Sequence, residues 1–98
     1  DPFIAGHLYR IAQEAVNNGC KHARARHIVI RLEETSGRLQ LSVRDDGHGL
    51  PSARAERADG IGLRVMRHRA NVIGARLAVD SPRGGGVAVR CSLPSPAT

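Results

Sequence analysis

With 98 residues the chain is the size of one domain, and a chain this short buries only roughly 60–65% of its unfolded surface, enough for a single core. Its 41% hydrophobic and 24% charged residues match soluble globular averages, which excludes a disordered tail, a collagen-like rod and a coiled coil, and no apolar run approaches the ~18–20 residues of a membrane span. The net charge is +6, and because Lys21 is the only lysine, fourteen of the fifteen basic residues are arginine; such a surface attracts phosphate of any kind, so charge alone does not choose among nucleic acid, nucleotide and acidic lipid.

In chain order, residues 3–23 carry Ile4, Leu8, Ile11, Ala12, Ala15 and Val16 at the three-and-four spacing of one buried helical stripe. From His27 the run His-Ile-Val-Ile-Arg-Leu-Glu-Glu is rich in β-branched residues. Thr35-Ser-Gly-Arg then supplies a turn, and residues 39–44 alternate, so a β-hairpin is predicted. Asp45-Asp-Gly-His-Gly-Leu-Pro ends the strand, and residues 51–59, rich in Ala and Arg without apolar periodicity, read as a mobile loop. Leu63, Val65, Met66, Ala70 and Ile73 support a second helix closed by Gly74. Residues 76–80 and 87–93 read as two more strands joined by Ser81-Pro-Arg-Gly-Gly-Gly, and 94–98 as a polar tail.

Helix, strand, strand, loop, helix, strand, strand disfavours a doubly wound parallel sheet, because hairpins and not crossovers join the strand pairs. The expected architecture is an α+β two-layer sandwich with both helices on one face of a mixed, mostly antiparallel sheet. Arg31, Glu33, Gln40 and Arg44, alternating with apolar neighbours, mark the other face.

Three polar features carry chemistry. At ~100° per residue, Glu14, Asn18 and Lys21 fall within about 60° of one another beside the apolar stripe. A carboxylate, a carboxamide oxygen and an ammonium in a row suit a hydrated Mg²⁺ and the phosphates that share it, and equally suit a solvated helix face. Asp45 ends a strand, where a part-buried carboxylate would accept from an exocyclic amino group, and Gly47 and Gly49 let a ring or phosphate approach the backbone; an ordinary Asp-Gly turn is the alternative. Gly60-Ile-Gly-Leu, ending at Gly62 and Leu63, opens the second helix with its N–H groups and positive dipole end facing an anion, or serves as a hinge or cap.

Taken together, these stretches have a known likeness. Ile11-Ala-Gln-Glu-Ala-Val-Asn-Asn-Gly-Cys-Lys-His-Ala resembles the N box of the ATP-binding domain of two-component sensor histidine kinases, Asp45-Asp-Gly-His-Gly their first glycine box, and Gly60-Ile-Gly-Leu-Arg-Val-Met-Arg-His-Arg-Ala their second. The Lys-His-Ala and Met-Arg-x-Arg-Ala patterns are similar to the subfamily that pairs with helix-turn-helix response regulators. The resemblance spans about residues 8–94.

The resemblance implies the ATPase fold shared with gyrase, the heat-shock chaperone and mismatch-repair ATPases, with ATP between helices and sheet under a lid at 51–59. By position, Asn18 would coordinate Mg²⁺, Glu14 would order water or assist proton transfer, and Lys21 would contact phosphate. Asp45 would bind the adenine amino group, Gly47 and Gly49 would leave room for the base, and Gly60, Gly62 and Leu63 would shape the lid and helix start around the phosphates. The implied partners are a histidine on a separate dimerisation domain of the same protein and a response-regulator aspartate. The full protein is expected to be a homodimer, with this domain cytoplasmic and binding no nucleic acid, and the parent either soluble or anchored in the inner membrane. The isolated chain is expected to bind ATP without phosphorylating itself. Departures from the pattern are Asp46 for Asn, Val65 for Gly, His68 for an acidic residue and Val87 for Thr.

None of the five histidines has the setting of the phosphoacceptor or metal-ligand spacing; His22 reads as a packing residue, and His27, His48 and His68 as surface or loop. Cys20 and Cys91, far apart, read as two small buried residues. Starting at Asp1 and lacking a signal-peptide pattern, the chain reads as a piece of a longer protein. Rival readings are a serine kinase or anti-sigma module on the same fold, a degenerate nucleotide-binding scaffold, and a basic nucleic-acid-binding module. The last is weakened by having only Phe3 and Tyr9 as stacking platforms.

Overall fold

A computed structural model describes residues 1–21, 25–47, 62–80 and 85–95. Helix α1 (Pro2–Lys21) begins where Asp1 Oδ1 accepts the Phe3 N–H at 2.8 Å and Pro2 takes the first helical position, where its missing N–H costs nothing. This cap starts α1 one residue before the stripe alone indicates. The hairpin strands are β1 (Ile28–Thr35) and β2 (Arg38–Asp45), joined by Ser36 and Gly37 at φ 53° and 76°, the two-residue turn whose twist matches that of the strands.

Helix α2 (Gly62–Val72) ends in a left-handed Gly74 at φ 70°, where the Ala75 N–H donates to Ala70 O at 2.8 Å and the Gly74 N–H to Asn71 O at 3.1 Å. Strands β3 (Arg76–Asp80) and β4 (Val87–Pro94) follow. The tail reading yields at its start: Pro94 belongs to β4, and the Ser95 N–H donates to Gly37 O at 2.7 Å.

The sheet order is β1-β2-β4-β3 and all three ladders are antiparallel, so the two hairpins meet through β2 and β4. Both helices cover one face, giving the two layers expected. Leu8, Ile11 and Ala15 of α1 and Leu63, Met66 and Ala70 of α2 bury against Leu41, Val43, Val89, Cys91 and Leu93 of the sheet. Ile11 and Met66 are fully buried, and truncating either to Ala costs about 2–5 kcal/mol. The helices run antiparallel, with Asn18 beside Gly62 at one end and the His7 ring 3.4 Å from the Arg69 guanidinium near the other.

Candidate functional site

The register gathers the polar features at one end of the sandwich. α1 delivers the chain to the start of β1; Ile28 pairs with Asp45 at the end of β2, and Asp45 with Val87 at the start of β4. α2 begins at the same end, where a Cβ on Gly62 would stand 2.9 Å from Asn18 Nδ2 and 3.1 Å from Oδ1. A side chain at 62 would therefore crowd the Asn18 carboxamide and push it aside. Glu14, one turn earlier, is half-buried on the same side of α1, and Leu63 is buried in the core behind Gly62.

Asp45 shares the helix-facing side of β2 with the buried Leu41 and Val43. Its Oδ1 accepts two backbone N–H groups, Gly47 at 2.9 Å and Val87 at 3.2 Å. That pair fixes the carboxylate plane, and Oδ2 accepts from no described residue. The arrangement offers one oriented acceptor at this end of the sheet.

Two neighbours escaped sequence reasoning. Gly86, at φ 88°, lies so close to Asp45 that a Cβ there would overlap the Asp45 carbonyl oxygen; its N–H donates to Gly47 O at 2.9 Å. Gly85, at φ 102°, would bring a Cβ within 3.1 Å of the same Gly47 oxygen. The glycine run read as a plain connector thus fits the Asp45–Gly47 backbone. The signal was available: three successive glycines exceed what a turn requires.

Asp46, noted only as a departure from Asn, ties the start of β1 to the end of β2. Its Oδ1 accepts the N–H groups of Arg26 at 2.8 Å and His27 at 2.9 Å, and its Oδ2 lies 2.8 Å from His27 Nδ1. These bonds, the His27 N–H foremost and its ring next, hold the Asp46 carboxyl down at about 2.

The Lys21 side chain, Gly49, Gly60, His22, His48 and the lid at 51–59 lie outside the described residues. Val65 and His68 are exposed on α2. One cysteine reading is corrected: Cys91 is buried, with its thiol pushed up by burial, but Cys20 is exposed, because it projects from the side of α1 away from the core stripe. A separate open hollow of about 400 Å³, lined by Arg67, Ala70, Asn71, Ala75, Arg76 and Leu77, lies by the other end of α2 and shares no residue with this site.

Residues 4–97 match the family model of histidine kinase-, DNA gyrase B- and HSP90-like ATPases. The chain is 38% identical over 87 residues to the signal transduction histidine-protein kinase/phosphatase UhpB of Salmonella typhimurium, covering 89% of this chain and 17% of that protein. It is 34% identical over 83 residues to the nitrate/nitrite sensor protein NarX of Escherichia coli, covering 85% and 14%. It therefore spans about a sixth of these relatives. Among solved structures, the histidine kinase domain of the Erythrobacter litoralis EL346 blue-light activated histidine kinase superposes with a TM-score of 0.80 at 28% identity, over 94% of this chain and 45% of that one. Full-length ShkA in complex with AMPPNP superposes at 0.76 and 25% identity, over 95% and 23%. The ATP binding domain of PrrB from Mycobacterium tuberculosis shares the fold at 0.79 and 20% identity, over 94% and 69%.

Proposed function

The chain belongs to the histidine kinase-, DNA gyrase B- and HSP90-like ATPase family, as the ATP-binding domain of a sensor histidine kinase, and from that premise we propose how its own residues hold Mg·ATP and serve phosphotransfer. The observation that carries the reading is Asp45: a carboxylate with one oxygen held by two backbone N–H groups presents the other to a donor, which is what the adenine amino group is and a guanine carbonyl is not. Val87 contributes an N–H but no hydroxyl, so base reading at this point rests on Asp45. Gly47 and Gly49 leave the base room to lie flat.

Glu14 and Asn18 fit magnesium, a hard cation that keeps several waters and takes few protein oxygens. When bound, the ion neutralises charge on the phosphates. Asn18 Oδ1 is the ligand from this chain; Glu14 orders water at the ion or accepts a proton. Lys21 meets phosphate, and the N–H groups at the start of α2, from Gly62 and Leu63, face the same anion, with Gly60 and residues 51–59 as its lid.

With no nucleophile of its own required, the domain positions the γ-phosphoryl group for a histidine on the dimerisation domain of the same homodimeric protein, from which it passes to a response-regulator aspartate. ShkA, a structural neighbour at 25% identity, was solved in complex with AMPPNP, which supports a nucleotide as the ligand. No helix among the described residues is long and apolar enough to cross a membrane. The domain works on the cytoplasmic side, where ATP is, whether or not its parent is anchored.

The test is labelling of the parent protein with γ-labelled ATP. Phosphate that is labile in acid and stable in alkali marks phosphohistidine and supports the proposal; acid-stable phosphoserine moves the chain to the serine-kinase reading. Absence of labelling with salt-sensitive DNA binding moves it to the nucleic-acid reading.

A further inference from the structure

Asp45 is the last residue of β2 and pairs with Ile28, the first of β1, so the base-reading carboxylate sits where a ladder ends and strands fray. Yet it must hold its angle. A recognition group works only within about 0.5 Å of its productive place, and Asp45 Oδ1 keeps that place through the N–H of Gly47, at 2.9 Å, a residue already past the strand. What holds Gly47 therefore decides where Oδ2 points.

The bend is gripped from both sides. On the β4 side the Gly86 N–H donates to Gly47 O at 2.9 Å and the Val87 N–H to Asp45 Oδ1 at 3.2 Å. On the β1 side the grip is Asp46. Its N–H donates to His27 O at 3.2 Å, and its Oδ1 accepts the N–H groups of Arg26 and His27 at 2.8 and 2.9 Å. The His27 ring, whose side chain is 80% exposed, adds a contact at 2.8 Å that water weakens. The two N–H groups differ from such a surface pair, because they are backbone donors already fixed at the start of β1, and a carboxylate strengthens both bonds. Asp46 thus fastens the residue between Asp45 and Gly47 to the segment that leads from α1, which carries Asn18, into β1.

We propose that Asp46 is a positioning residue for base recognition: by pinning the backbone between Asp45 and Gly47 to the start of β1, it sets the angle at which Asp45 Oδ2 meets the amino group. The proposal rests on the reading of Asp45 as the adenine acceptor and adds a residue that itself touches no nucleotide, since both Asp46 oxygens are engaged with Arg26 and His27.

A double-mutant cycle tests it, with affinity for a non-hydrolysable ATP analogue read by calorimetric titration and folding checked by urea unfolding. Asp46→Ala weakens binding by about tenfold, whereas Asp46→Asn, which keeps an oxygen for both N–H groups, stays within about threefold of the wild type. In the Asp45→Asn background, Asp46→Ala costs less than about twofold, since the oxygen it positions is gone. Without nucleotide, Asp46→Ala speeds amide exchange at Gly47 by at least about tenfold and Asp46→Asn does not. Should Asp46→Ala not fold, Asp46→Ser replaces it, because its oxygen lies one bond nearer the backbone and falls short of both donors. An equal loss from Asp46→Ala in both backgrounds overturns the proposal, since a purely structural residue adds its effect. So does an Asp46→Asn variant as weak as the alanine one, or unchanged exchange at Gly47. If Asp45→Asn binds as the wild type does, the reading of the nucleotide site fails and this proposal with it; if Asp45→Asn binds weakly and Asp46→Ala as the wild type does, the proposal alone fails.

Discussion

The Asn18 carboxamide lies beside Gly62, with Nδ2 and Oδ1 2.9 and 3.1 Å from where a Cβ would stand. The two residues are 44 positions apart in sequence and come from antiparallel helices. Because the atoms met are the far end of a movable side chain, Gly62→Ala should turn Asn18 aside at little cost to the fold. Alanine is the better helix former by up to about 1 kcal/mol, so thermal stability holds or rises. Affinity for a Mg²⁺–ATP analogue falls by about tenfold or more, read by calorimetric titration. Unchanged affinity in a folded variant would separate Asn18 from the ion.

Gly86 should behave in the opposite way. At φ 88°, with the Asp45 carbonyl oxygen in the path of any Cβ, neither partner can yield except by moving backbone. Gly86→Ala is expected to cost at least about 2 kcal/mol in urea unfolding. Gly37→Ala is the control: φ is 76° but nothing lies within 4 Å, so strain alone of about 1 kcal/mol is expected.

Acid should loosen the join between β1 and β2 through Asp46. Its carboxyl is held at about 2 against the usual 3.8, so the folded state favours the ionised form. This contribution is fully present above pH 3.8 and is lost as pH falls toward 2, once the carboxylate takes up its proton. Between those values the urea midpoint of the wild type should drop more steeply than that of Asp46→Asn, which cannot ionise. Parallel slopes would contradict the assignment.

The thiols should separate cleanly. Cys20 is exposed and Cys91 buried with a raised pKa, so a thiol reagent at neutral pH should titrate one group in the folded chain and a second only after denaturation. Two fast thiols would mean that the sheet face under the helices opens readily.

The elements were legible because their signals are local. The Ile4–Leu8–Ile11–Ala15 spacing marks α1, Ser36-Gly37 the hairpin turn and Gly74 the end of α2, each needing only a few neighbouring residues. Asp45 and Asn18 were legible as types at motif positions, not through their contacts. Gly86 was missed because its constraint is a carbonyl 41 residues away, and Asp46 because its donors lie on the far side of the hairpin. The edge position of β1 was also invisible: Ile-Val-Ile-Arg-Leu has the same pattern in a central strand as in an edge strand, and only the sheet order among the described residues tells them apart.

The most direct measurement is titration of this chain with a non-hydrolysable ATP analogue, with and without Mg²⁺, for wild type, Asp45→Asn and Asn18→Ala. Asp45→Asn should lose about 1.5–3 kcal/mol of binding whether or not the ion is present, since it alters reading of the base. Asn18→Ala should lose only the part that Mg²⁺ adds. If both variants stay folded and bind as the wild type does under both conditions, the nucleotide lies elsewhere and the site described here is wrong.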